Sequence, residues 1–83
     1  MFHKIKEVEP LSAMKLKVVF TDETIKEYDV APLANQIKVF KSLEDSTLFQ
    51  NAKVDQGGFG VIWNDDIDLS SDELWKNGII KTM

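Results

Sequence analysis

Apolar and polar residues alternate most cleanly over residues 14–20, where Met14, Leu16, Val18 and Phe20 share one face and Lys15 and Lys17 point the other way. A period of two marks a half-buried strand in an antiparallel sheet. Thr21, Asp22, Glu23 and Thr24 interrupt the pattern, and strand-like composition resumes over residues 25–30. The two segments predict a β-hairpin, although no glycine stands in the turn to take a left-handed conformation. Upstream, residues 3–9 alternate less regularly. Ile5 and Val8 fall out of phase, as a bulge would allow, and Pro10, lacking a backbone donor, is expected to end the segment. Three strands are thus expected before any helix.

The spacing then changes. Pro32 suits a first helical position, and Leu33, Ile37 and Phe40 recur at helical intervals. Residues 32–50 predict one or two short helical pieces broken near Lys41 or Ser42, with Ser42 followed by Asp45, or Ser46, as further caps. Val54 and the run Gly60, Val61, Ile62 and Trp63 predict a second strand pair, turning around Gln56, Gly57 and Gly58. Near the end, Ser70 and Glu73 complete a Ser-x-x-Glu capping box, flanked by Leu69 and Leu74 as a hydrophobic staple. Asp72 and Glu73 sit where the helix dipole favours negative charge, and Gly78 supplies a stop after Asn77. A helix over residues 71–77 follows. The whole pattern is an α+β fold of five strands: a three-stranded antiparallel meander, short helical segments, a second strand pair and a short C-terminal helix.

Composition narrows what such a fold could do. The 83 residues supply material for one core, so residues 1–83 are expected to form a single domain. A hydrophobic fraction of 43% and a charged fraction of 29% belong to an ordinary globular chain and set disorder aside. The absence of cysteine removes disulfides, thiolate metal ligation and a thiol nucleophile. A secreted domain this small ordinarily needs disulfide staples, so a cytoplasmic location is expected. No apolar run approaches a membrane span, and Met1, Phe2, His3 and Lys4 lack a signal-peptide core. Net charge is −4, and all ten basic residues are lysines. Arginine supplies the planar fork that grips phosphates and guanine edges, so its absence argues against direct nucleic-acid binding. An acidic surface suits a basic partner instead.

Catalytic chemistry finds little support in these residues. His3 is the single histidine and has no evident orienting partner, which reads as a surface residue rather than a general base. The serines stand in no nucleophile-elbow pattern, and Gly57, Gly58, Phe59 and Gly60 lack the lysine and hydroxyl of a phosphate loop. No catalytic, cofactor-binding or metal-ligating residue is assigned, and no enzyme is expected. Carboxylates concentrate at Asp65, Asp66 and Asp68, with Asp72 and Glu73 beyond them. Oxygen-rich loops of this kind bind calcium or magnesium. An EF-hand register beginning at Asn64 places Leu69 where glycine is needed and Trp75 where a bidentate glutamate is needed. A register beginning at Asp66 places Ser71 and Asn77 there. Turn and cap chemistry explains the run better: Asp65 and Asp66 form a turn and Asp68 helps fix the loop. Trp63 reads as core, whereas Trp75, directly after Leu74, points elsewhere and reads as a partly exposed contact. Asp65, Asp66 and Trp75 are the candidate partner contacts.

The chain resembles the bacterial domain of unknown function 2442 family. The likeness rests on residues 14–20, on Tyr28 and Asp29 followed by Pro32 and Leu33, and on Leu43 and Phe49. Its strongest part is Trp63, then Asp68 and Leu69, then Asp72, Leu74 and Trp75. Departures fall in turns: Glu23 stands where the family usually has glycine, Asn64 and Asp66 where proline and glycine are frequent, and Ser71 where proline is common. The resemblance implies a three-stranded sheet followed by helical turns and a second strand pair. Some members carry an additional helix-turn-helix domain, for which this chain has no room. Others are encoded beside small toxin-like proteins, which implies an antitoxin-like role. Two functions are therefore expected to compete. One is a non-enzymatic interaction module, in its narrower form the antitoxin-like partner of a small basic toxin. The other is a small-ligand or divalent-metal-binding domain using the acidic loop at residues 65–68.

Overall fold

The alternating segment becomes the second strand of the larger of two sheets in the computed structural model, which describes residues 3–81. Met1 and Phe2, the start of the segment considered for a targeting signal, lie outside them. Strand β1 (Ile5–Leu11) and strand β2 (Lys15–Phe20) pair antiparallel, and β2 pairs antiparallel with β3 (Ile25–Asp29). Leu16, Val18 and Phe20 are fully buried, as their spacing requires. The phase change in β1 is a bulge: Ile5 stands opposite Phe20, but Glu7 already stands opposite Val19.

Pro10 does not end β1. It lies inside the strand, opposite Leu16. The backbone bonds Phe20 to Thr24 and Val30 to Met14 show that the even-numbered residues of β2 turn their polar groups toward β3. Leu16 therefore offers no bond to β1, and the missing donor of Pro10 faces the open edge, where proline is tolerated. A 3-10 turn, Ser12–Met14, then separates β1 from β2, so a helical turn precedes the second strand, and that strand begins at Lys15 rather than Met14. Ala13 and Met14 hold left-handed φ angles of 60° and 59° there. At the β2–β3 turn Glu23 takes the left-handed position with φ 74°, at a cost of roughly 1–2 kcal/mol for a residue with a side chain. Its ion pair with Lys6, at 3.1 Å, is too exposed to offset much of that.

The helical stretch is cut differently from its sequence reading. Helix α1 (Ala31–Gln36) carries Pro32 in its first turn, a 3-10 segment covers Lys38–Glu44, and helix α2 (Ser46–Phe49) follows. The breaks fall at the extended residues Ile37 and Asp45, not at Lys41 or Ser42. Asp45 caps α2, accepting from the Thr47 N–H at 2.9 Å, and neither candidate serine does so. Phe40, Leu43 and Phe49 are buried from this stretch.

Strands β4 (Lys53–Val54), β5 (Gly60–Asn64) and β6 (Ile67–Ser70) form a three-stranded antiparallel sheet in the order β4-β5-β6. Helix α3 (Ser71–Asn77) leads from it to β7 (Ile79–Ile80), which returns to the first sheet and gives it the order β1-β2-β3-β7. The described residues thus hold seven strands, with β6 and β7 beyond the five expected, and the fold is α+β. Trp63 is core, and its indole N–H donates to the Phe49 carbonyl at 3.1 Å. The sheets meet where the Ile5 N–H donates to the Gly58 carbonyl at 2.8 Å. Among the described residues no helix is long and apolar enough to cross a membrane.

Candidate interaction site

Ser70 caps α3 as its sequence position requires, its hydroxyl accepting from the Glu73 N–H at 3.1 Å. The reciprocal half of the capping box does not form, because the Glu73 side chain turns away from the cap. Its Oε2 accepts from the Tyr28 hydroxyl at 2.7 Å and from the Asn77 side-chain amide at 2.9 Å. Asn77 lies one turn along the same helix face. Tyr28 reaches out from β3, and its ring is buried among the core residues. Burial, the bond to Glu73 and the charges of Glu73 and Asp29 all push the Tyr28 hydroxyl above its ordinary value of 10.0, so it stays a donor.

This network forms one wall of a groove of about 330 Å³, with Pro32 and Leu33 of α1, Ile79 of β7 and the strand residues Glu27 and Asp29 completing it. Three carboxylates stand around an apolar floor. Glu27 is engaged, 3.9 Å from the Lys15 ammonium and 3.8 Å from that of Lys81. The Asp29 carboxylate accepts from the Ala31 N–H at 3.1 Å. Glu73 has no cation within pairing distance among the described residues, and its Oε1 takes no hydrogen bond from them.

The groove exists because β7 is too short to cover β3. Ile80 stands opposite Lys26 and Ile79 opposite Glu27, and there the pairing stops, since the chain has come straight out of α3. The bond from the Lys81 N–H to the Ile25 carbonyl shows that the odd-numbered residues of β3 turn their main-chain groups toward β7. Asp29 is the next odd position. Its N–H and C=O both face the groove, where the N–H donates to no described residue and the C=O accepts from none.

The residues singled out from sequence lie elsewhere. Asp65 and Asp66 are exposed in the β5–β6 turn. Asn64, not Asp68, fixes that turn, its side-chain oxygen accepting from Asp66 N–H at 2.9 Å and Ile67 N–H at 3.0 Å. Asp68 stands on β6 opposite Ile62. Among the described residues no three His, Asp or Glu side chains converge as metal ligands would. Trp75 is half-buried and packs on the core. His3 stacks on it at 3.6 Å between ring centroids, the edge of Phe20 meets it at 4.9 Å, and the Lys26 ammonium lies 4.3 Å from its ring centre. Lys26 also donates to the Trp75 carbonyl. Trp75 thus serves an internal cluster more than an open surface, and the length of β6 separates it from Asp65 and Asp66. Tyr28, Glu73 and Asn77 were not foreseen as a unit. The one sequence signal for them was the Glu73 and Asn77 spacing on a helix face.

Residues 5–79 match the model of a family described as "Protein of unknown function (DUF2442)". No curated protein matches the chain. A solved structure from Nitrosomonas europaea, described as "Putative DNA Binding Protein NE0471", is similar with a TM-score of 0.72 and 22% identity. The match covers 88% of this chain and 46% of that one, so the chain spans less than half the length of its structural neighbour. At that identity the likeness is one of fold.

Proposed function

The chain belongs to the DUF2442 family, and from that membership we propose that it is a non-enzymatic interaction module holding a basic polypeptide partner. The observation that carries this reading is the groove beside α3: an apolar floor of Pro32, Leu33 and Ile79 under a rim of three carboxylates. Interfaces combine an apolar centre with charge complementarity at the rim, and the complement of this rim is positive. In its narrower form the partner is a small basic toxin, toward which this chain acts as the antitoxin-like member. The DNA-binding description of the structural neighbour is not carried over, because a chain of net charge −4 with no arginine offers poor footing for phosphates.

Selection of random peptides displayed against the immobilised protein tests the reading. Enriched peptides are expected to carry basic residues beside apolar ones and to lose binding as salt is raised. Enrichment of acidic or uncharged sequences, or no enrichment, would overturn it.

A further inference from the structure

We infer, resting on the reading just given, that the groove takes one extended segment of the partner through a lysine. The segment completes the β3 edge at Asp29, and its lysine ammonium sits on Oε1 of Glu73. Two independent features converge on this. The first is the pair of unclaimed main-chain groups on Asp29, a single strand position left open where β7 stops. Extended peptides bind such edges by main-chain bonds and gain specificity from the side chains beside them. The second is the state of the Glu73 carboxylate. Oε2 already accepts from Tyr28 and Asn77, which fills its two lone-pair directions, while Oε1 accepts nothing from the described residues.

That asymmetry selects the cation. A guanidinium gains most when both its forks meet both oxygens of a carboxylate, and here one oxygen is taken. An ammonium is a compact charge that needs a single acceptor. The stem of a lysine has apolar length to lie along Leu33 and Ile79, which line the same groove. Glu27 does not compete for it, being engaged by Lys15 and Lys81.

Titration of the protein with Nα-acetyl-lysine N-methylamide, followed through backbone amide signals, tests the inference. Saturable shifts are expected at Asp29, Glu73 and Asn77. Blocked arginine is expected to bind several-fold more weakly, and blocked norleucine more weakly still. Glu73→Gln should weaken the lysine probe by about tenfold, the loss typical of one charge-assisted bond. Asp66→Asn, which removes a charge in the distant turn, should leave it unchanged. Asn77→Lys at an exposed position places an ammonium of the protein's own beside Glu73 and should abolish probe binding. That variant decides the matter should Glu73→Gln fold poorly. Shifts spread over all the acidic residues, arginine binding as well as lysine, or probe binding unaffected by Asn77→Lys would overturn the inference. Should the probe fail while selected basic peptides still bind, the groove assignment falls and the module stands; should neither bind, both fall.

Discussion

Tyr28 is the single tyrosine of the chain, and its hydroxyl proton is held by burial first, then by the bond to Glu73 and the charges of Glu73 and Asp29. The folded form therefore loses this proton at higher pH than the unfolded form, whose value is the ordinary 10.0. Above that pH the unfolded chain binds fewer protons, and stability falls as pH rises. The contribution is whole below about pH 10 and is lost as pH climbs through the folded value. Denaturant titrations across the alkaline range should show a steeper decline in the wild type than in Tyr28→Phe, which has no such proton. Parallel declines would show that neither burial nor the bond to Glu73 holds this proton in the folded form. At neutral pH, Tyr28→Phe should cost about 1.5–3 kcal/mol, the net worth of one hydrogen bond to a charged group.

At the scale of the element, α3 depends on its first turn. Its seven residues are too few to hold a helix by propensity alone. Ser70→Ala should cost about 1 kcal/mol and lower the melting temperature by roughly 4–8 °C in a chain of this size. Asp66→Asn should change it little, since Asn64 makes the turn bonds. A silent Ser70→Ala would mean that packing of the buried Leu69 and Leu74 fixes the helix start unaided. The cap, the helix over residues 71–77 and the buried face of β2 were legible in sequence because each rests on contacts within a few residues. The return strand β7 was not, since two isoleucines carry no period and pair only because Gly78 brings the chain back onto β3. A Cβ on Gly78 would collide with the Leu74 carbonyl oxygen and stand 3.1 Å from Cβ of Lys26. β6 was hidden by its own aspartate, which made an alternating segment read as loop. The groove was illegible for a similar reason. Glu73 has a local partner available at the cap and prefers a tyrosine forty-five positions away, a choice that only the tertiary fold presents.

Across the whole molecule, the two sheets are joined at Gly58. It holds φ at +80°, and a Cβ there would come within 2.9 Å of the Ile5 carbonyl oxygen, a backbone atom of β1 that cannot swing aside. Gly58→Ala combines a left-handed penalty with a steric one and should cost about 2–3 kcal/mol. Calorimetry should show one transition at a lower temperature, with the amide protons of β4 to β6 losing protection together. Retained protection there would mean that the core alone unites the sheets. The contact between His3 and Trp75 has a consequence in time. It joins positions seventy-two residues apart, so the loop it closes is long, and its other neighbours, Phe20 and Lys26, lie on β2 and β3, which must pair first. The ring pair is therefore expected to assemble after the β2–β3 hairpin during refolding and to open before it, a sequence that Trp75 fluorescence against amide protection of β2 would read. The His3 ring behaves as a latch, fastened only once the strands beneath it have set.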